Sequence, residues 1–181
     1  VANSNLLNLL FTCMNDETSE VRQSSFALVG DLARGCPNVL QPVLSQYIPV
    51  LTSNFVTNFS SVCNNAIWAL GEIAIKAGGP AITPHLQHIL PKLIAIMNTS
   101  NLLRSLLENA AITLGRLGWV CPNEMAPHLP EFASNLCLHL REIRNDIEKE
   151  HTLFGLCAMI RVNPHGVMSS FSFLCNAIVS Y

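Results

Sequence analysis

The residues that could ligate a metal or act as nucleophiles are spread along the chain without the spacing of a reactive site. His85 and His88 are three residues apart, as in some metal sites on helices, but no third ligand accompanies them. The seven cysteines form no Cys-x-x-Cys pair, and their odd number and wide spacing argue against a disulfide framework or a zinc site. No glycine-rich phosphate loop, nucleophile elbow or pair of catalytic carboxylates occurs. We therefore expect no enzyme, no metal and no cofactor, and we expect the cysteines to be buried thiols in a reducing compartment.

The composition is that of a protein with a large apolar core and a surface poor in charge. Hydrophobic residues make up 50% of the 181 residues and charged residues only 12%, against roughly 25% charged residues in an average soluble domain. The net charge of −2 argues against nucleic-acid binding. No apolar run reaches the roughly 18 residues of a membrane span, and no signal peptide is evident at the start. So few charges predict that a partner or further repeats cover part of the surface.

Prolines and glycines recur with a period near 42 residues. Successive prolines are 42 or 43 residues apart in one series, and glycines follow at intervals of 40 to 44 residues. The proline series is Pro37, Pro80, Pro122 and Pro164, and the glycine series is Gly30, Gly71, Gly115 and Gly155. Such a period is typical of WD40 blades or of HEAT and armadillo helix pairs. Because apolar residues within each period follow helical spacing, we predict helix pairs.

Each repeat is predicted to contain an A helix, a short turn and a B helix. We predict repeat units at about 1–36, 37–79, 80–121 and 122–163, with a partial unit at 164–181. The predicted A helices are 3–14, 42–55, 84–98, 124–141 and 165–180, and the predicted B helices are 18–35, 60–77, 103–119 and 146–162. Pro42, Pro84 and Pro127 suit first helical turns, whereas Pro49 and Pro91 lie deeper and should kink their helices. The fold class is thus all-α, a HEAT-repeat right-handed α-solenoid of about four helix pairs plus a terminal helix.

Both ends of such a stack are expected to expose residues of core type. A chain that begins and ends with an A helix has an unpaired face at each end. We expect Leu6 and Leu10 to be exposed at one end, and Phe171 and Leu174 at the other. This expectation agrees with the low charge and with an internal segment of a longer protein.

Alignment of the B helices on their glycines places polar residues and one tryptophan in matching rows. Spacings of three and four residues keep each set on one helix face. The first three rows are Gln23, Asn64 and Glu108; Ser24, Asn65 and Asn109; and Ala27, Trp68 and Ile112. The fourth row is Asp31, Glu72 and Arg116. A buried Trp68 would take several polar neighbours out of water at a cost of roughly 1–3 kcal/mol each when unpaired, so this face is predicted to be a solvated groove.

The B-helix segments resemble the transportins, nuclear import receptors of the karyopherin-beta type. The resemblance rests on SEVRQSSFALVGDL at 19–32, SVCNNAIWALGEI at 61–73, LLENAAITLGRLG at 106–118 and VNPHG at 162–166. It runs along essentially the whole chain and corresponds to the C-terminal arch of the receptor. One departure is Ser60, where the family carries an apolar contact residue.

The resemblance implies a receptor segment that binds cargo on the concave surface lined by B helices. Transportins carry proteins with a proline–tyrosine nuclear localisation signal, the arch takes the upstream part of that signal, and Ran-GTP releases the cargo. The implied cargo-binding residues are Gln23, Asp31, Asn64, Asn65, Trp68, Glu72, Glu108, Asn109 and Ile112. The implied partners are signal peptides and, through the full-length receptor, Ran and nucleoporins, without direct nucleic-acid or membrane binding. Such a receptor shuttles between cytoplasm and nucleus.

Two other functions remain open from the residues alone. One is a structural HEAT scaffold, such as a phosphatase or complex-assembly subunit, and the other is a different karyopherin-type transport receptor. A Trp68 ring packed between A and B helices would favour the scaffold, whereas an accessible ring on the concave side would favour the receptor.

Overall fold

Helices joined by short turns make up the chain in this computed structural model, which describes residues 2–181 and their side chains from residue 5 onward. No strand occurs in this range. The chain divides into two units, Val1–Ile89 and Leu90–Tyr181. The predicted all-α class is therefore confirmed, while the finer division into five repeat units stays a prediction.

The first unit contains two long B helices and the A helices that precede them. Its helices are α1 (Ala2–Met14), α2 (Ser19–Gly35), α3 (Pro37–Leu40), α4 (Leu44–Ser53), α5 (Ser60–Ala77) and α6 (Gly79–Ile82). The B helices α2 and α5 pack along each other, and α1 and α4 flank them. The buried core includes Phe26, Ile48, Leu51, Ile67 and Leu70.

The second unit repeats this plan. The boundary between the units falls within α7 (Leu86–Met97). The remaining helices are α8 (Arg104–Val120), α9 (Pro122–Met125), α10 (Leu129–Leu140), α11 (Ile147–Val162) and α12 (Phe171–Val179). The B helices α8 and α11 pack along each other, and α10 contacts both. Leu114, Phe132, Leu136, Leu156 and Met159 are buried in this core.

The predicted A helices differ from the structure in how they begin. A short helix and a single 3-10 turn precede α4, α7 and α10. Pro42, Pro84 and Pro127 each occupy the middle of such a turn. Because proline cannot donate the N–H bond of an α-helix, the regular hydrogen-bond pattern breaks there. Pro49 and Pro91 were expected to kink their helices, but α4 and α7 continue through them as α-helix. The interruption of the α-helical pattern lies earlier, in the 3-10 turn before each helix.

The α8–α11 contact explains why glycine recurs in the B helices. A Cβ at Gly155 would overlap the backbone carbonyl of Gly115, and a Cβ at Gly115 would lie 2.5 Å from Cα of Thr152. Only a residue without a side chain allows backbones to approach this closely. The glycine series read from the sequence therefore marks helix contact.

Two expectations about burial are partly wrong. Leu6 and Phe171 are exposed, but Leu10 is buried because α1 packs against α2, and Leu174 is half-buried. Three of the cysteines are buried and Cys13 is half-buried, whereas Cys36, Cys157 and Cys175 are exposed on helix surfaces or ends. Among the described residues, no helix combines the length and apolar character needed to cross a membrane.

Candidate functional site

Trp68 of α5 lies against the neighbouring B helix α2, at Gly30. A Cβ at Gly30 would stand 2.5 Å from Cε3 and 2.8 Å from Cη2 of the indole, closer than any side chain tolerates. The ring thus fills the space that a larger residue at position 30 would need. The side chain as a whole is half-buried, so part of the indole still reaches solvent.

Arg34, one turn along α2 from Gly30, covers the same indole. Its guanidinium carbon lies 5.5 Å from the ring centre, within the range of a cation–π contact. Its Nη2 also pairs with Oδ1 of Asp31 at 3.1 Å, and both side chains are about 60% exposed (61% and 60%). The predicted carboxylate at Asp31 is therefore solvent-facing and paired with the arginine that also contacts the tryptophan.

The amides predicted to hold a peptide also connect the two B helices. Nδ2 of Asn65 donates to the backbone carbonyl of Gln23 at 3.0 Å, and Nδ2 of Asn64 donates to Oδ1 of Asn65 at 3.3 Å. All three side chains are half-buried. Asn65 thus joins α5 to α2 near Trp68, which gives it a structural role.

In the second unit, Glu108 and Asn109 lie near the start of α8. Arg104 Nε donates to Oε1 of Glu108 at 2.6 Å, and Arg104 Nη2 lies 3.3 Å from Oε2 of Glu142. The hydrogen bond that Arg104 donates to Glu108 is the main reason why the pKa of Arg104 is raised. Asn109 is half-buried. Glu108, whose side chain is 26% exposed, is therefore less accessible than Asp31 and is paired with an exposed arginine.

Two predicted groove residues are not accessible. Glu72 and Ile112 are each only 4% exposed. A side chain with so little exposed surface cannot contact an incoming peptide without rearrangement. The prediction of a continuous solvent-facing row is therefore wrong at these two positions, where packing buries the side chain, whereas Trp68 of the third row stays partly accessible and Asp31 of the fourth row is exposed.

The acidic residues around α11 have structural partners. Oδ1 of Asp146 accepts a hydrogen bond from the backbone N–H of Glu148 and caps the helix. Glu148 pairs with buried Arg116 at 3.3 Å, and Glu150 accepts a hydrogen bond from the Tyr181 hydroxyl at 3.1 Å. Lys149 is buried, and its Nζ donates to the carbonyl of Ser180.

An exposed aromatic cluster surrounds Trp119 and was not predicted from the sequence. Its ring centre lies 5.2 Å from that of His151 and 5.5 Å from that of Phe154. Trp119 is 42% exposed and Phe154 56% exposed. Arg34 was missed as well, although its spacing of three from Asp31 and four from Gly30 placed it on the same helix face.

No group of three metal-ligating side chains comes together within residues 2–181. His128 contacts Glu131 at 2.7 Å through Nδ1, and His88 contacts its neighbour Gln87. The arrangement around Trp68 therefore supports recognition through an aromatic face, amides and carboxylates.

Comparison with known proteins connects these helices to two sets of relatives. The HEAT repeat family model matches residues 6–36. Transportin-1 from Mus musculus and from Homo sapiens is 48% identical over 181 residues, which is all of this chain and 20% of theirs. Transportin from Dictyostelium discoideum is 40% identical over 181 residues and matches over 19% of its length. The chain thus spans about one fifth of the length of these relatives.

The fold is similar to that of a solved karyopherin. The crystal structure of Kap121p bound to RanGTP superposes with a TM-score of 0.71 and covers 98% of this chain and 17% of that one. Because the two sequences are only 16% identical, this likeness concerns the fold.

Proposed function

We propose that this chain, which belongs to the transportin family of HEAT-repeat proteins, binds the nuclear localisation signal of cargo as a segment of a nuclear import receptor. Relatives named transportin match the whole chain at 40–48% identity. Kap121p, which is similar in fold, has been crystallised in complexes with RanGTP, with Pho4p and with Nup53p. By analogy, Ran and nucleoporins are proposed partners through the full-length receptor, which would shuttle between cytoplasm and nucleus.

The observation that carries the proposal is the half-buried Trp68, whose ring contacts Arg34, together with the exposed carboxylate that pairs with the same arginine. Gly30 fixes the ring on α2, and Asp31 lies next to Gly30 with 60% of its side chain accessible. An apolar side chain of a peptide can pack on the indole edge, and a basic side chain can pair with the carboxylate. Together they match an extended signal that mixes apolar and basic residues.

The proposed contact set follows the accessibility of the side chains. In the first unit it comprises Gln23, Asp31, Asn64, Asn65 and Trp68. Glu108 and Asn109 are proposed for the second unit by itself, on the resemblance to transportins. The half-buried amides suit the backbone groups of an extended peptide, because carboxamides both donate and accept hydrogen bonds. The proline–tyrosine type of signal is part of this proposal and rests on the resemblance to transportins.

A structural scaffold is the alternative, and one observation favours it. The Asn65–Gln23 bond and the Trp68–Gly30 contact both join α2 to α5. If these residues served packing alone, a peptide would leave the indole unchanged. The ring contacts the neighbouring B helix at Gly30, and Trp68 as a residue stays partly accessible, which supports the receptor.

Tryptophan fluorescence distinguishes the two functions. The Trp119→Phe variant leaves Trp68 as the sole tryptophan of the chain. A synthetic proline–tyrosine signal peptide is titrated against it, with a peptide of scrambled order as control. Receptor function predicts a saturable change in Trp68 emission and protection from acrylamide quenching. An emission spectrum that does not respond to either peptide would contradict it and favour the scaffold.

A further inference from the structure

Two arginines of α2 lie over aromatic rings, yet their surroundings differ. The guanidinium carbon of Arg22 lies 5.6 Å from the centre of the Phe59 ring, nearly the distance between Arg34 and Trp68. Arg22 also donates to the carbonyls of Asp16 and Glu17 at 2.7 and 2.9 Å and to Oδ1 of Asn54 at 3.2 Å. These bonds connect α2 to the turns at the ends of α1 and α4, so Arg22 has a structural role.

Arg34 has no comparable set of bonds. Within the part of the chain that the structure describes, its polar partner is the carboxylate of Asp31, and its other contact is the Trp68 ring. Both groups of the ion pair are about 60% exposed. Exposed ion pairs and exposed cation–π contacts are weak. The Arg34 guanidinium can therefore leave this position at little cost, whereas Arg22 cannot.

The position of Arg34 is the position that a basic side chain of a ligand would take. It pairs with the accessible carboxylate and covers the aromatic ring, which are the two features of this surface that recognise a cation. A guanidinium from outside can reproduce both contacts, since it is planar and carries donors in a fork. An apolar or neutral side chain can reproduce neither the ion pair nor the cation–π contact.

We propose that Arg34 is an internal occupant of the peptide site and that a basic side chain of the ligand replaces it on Asp31 and Trp68. This inference rests on the proposed function. Asp31 and Trp68 thereby favour a cationic segment, and Arg34 competes with that segment for them. A peptide without a cationic side chain cannot replace the contacts of Arg34 and leaves it in place.

The test uses two peptides that differ in one charge. Both carry the same apolar residues, and one contains arginine where the other contains citrulline, its neutral analogue of the same shape. Binding to the unaltered chain is compared with binding to Arg34→Ala, Asp31→Asn and the control Arg161→Ala, which removes a positive charge from an exposed residue of α11. Affinity is measured by anisotropy of the labelled peptides.

We expect Arg34→Ala to tighten binding of the arginine peptide by about three- to tenfold, as for removal of a weak competitor. The citrulline peptide should gain less, and Arg161→Ala should change either affinity by less than about twofold because of screening. In Asp31→Asn, the arginine peptide should lose its ion pair, so its affinity should become similar to that of the citrulline peptide. An unchanged or weaker affinity of Arg34→Ala for the arginine peptide, with binding intact, would overturn the exchange while leaving the proposed function in place.

A measurement without peptide tests the occupancy itself. In the Trp119→Phe background, Arg34→Ala should raise acrylamide quenching of Trp68, and Arg34→Lys should raise it less. Unchanged quenching would show that Arg34 does not cover the ring and would overturn the inference. If quenching rises but no variant binds either peptide, the proposed function fails, and the exchange fails with it.

Discussion

The six-membered ring of Trp68 lies where any side chain on Gly30 would have to go. A Cβ at Gly30 would be 2.5 Å from Cε3 of the indole. One residue on α2 therefore sets the position of the aromatic ring on α5. The proposed binding surface depends on this pair, because a displaced indole would no longer lie beside Asp31 and Arg34.

Substitution of Gly30 by alanine should move the indole and weaken the α2–α5 contact. We expect Gly30→Ala to lower the free energy of unfolding by about 1–3 kcal/mol, as for overpacking of a buried contact, and to change the Trp68 emission in the Trp119→Phe background. Urea titration followed by fluorescence measures both effects.

Gly35→Ala is the matched control, since an added Cβ there meets no atom within 4 Å. It should leave stability unchanged or raise it by about 0.5–1 kcal/mol, because alanine favours helix over glycine. Equal effects of the two substitutions would contradict the close contact between Gly30 and Trp68.

Asn65 should stabilise the pairing of α2 with α5 through its bond to the Gln23 carbonyl. Asn65→Ala removes a 3.0 Å hydrogen bond between helices, so we expect a loss of about 1 kcal/mol in stability. Asn65→Asp should cost more, because it places a negatively charged oxygen against the Gln23 carbonyl oxygen at a half-buried position. Asn38→Ala, at an exposed position of α3, should have little effect, and thermal unfolding by circular dichroism compares the three.

Tyr47 makes stability depend on pH in the alkaline range. Its hydroxyl is buried and donates to the carbonyl of Leu7 at 2.7 Å, and burial raises the pKa of Tyr47 to about 12. In the unfolded chain the pKa is near 10, so the stabilisation is present below pH 10 and is lost as the pH rises through about 12.

Absorbance at 295 nm distinguishes the two tyrosines of the chain. The highest-pH step in the folded protein should disappear in Tyr47→Phe, and the urea-unfolded protein should titrate near pH 10. A Tyr47 step at the same pH in folded and unfolded protein would contradict the buried phenol.

The cysteines should differ in their reactivity towards a thiol reagent such as DTNB. Cys36, Cys157 and Cys175 are exposed and should react first. Cys137 should react last, since burial raises the pKa of its thiol to about 11 and the thiolate is the reacting form. Mass spectrometry of partially labelled protein assigns each step. Early labelling of Cys137 in the native protein would show that α10 is not packed as described.

The sequence predicted the helices well and the accessibility of the site less well. The period of the prolines and glycines reflects backbone requirements at helix ends and close contacts, which act within a few residues. The spacing alone therefore marks Gly30 and Gly155 as special positions. No pattern in the sequence indicates that Glu72 and Ile112 are buried, because their burial depends on which side of each helix other elements cover.

The half-burial of Trp68 also depends on packing between helices, which the sequence does not show. Its polar neighbours Asn64 and Asn65 suggested a solvated ring, since unpaired buried amides are costly. The structure satisfies Asn65 through the Gln23 carbonyl, so the ring can be half-buried without that cost. Arg34 was missed because a lone exposed arginine is common on helices, and only its distance to the indole distinguishes it.

The affinity of a labelled proline–tyrosine signal peptide for Trp68→Ala tests the central claim most directly. Trp119→Ala, which removes the other and more exposed tryptophan of the chain, is the control, and circular dichroism checks that both variants fold. We predict that Trp68→Ala weakens binding by about tenfold or more, as for an aromatic anchor, and that Trp119→Ala changes it by less than about twofold. Equal affinities of the unaltered chain and Trp68→Ala would contradict the claim that this indole binds the signal.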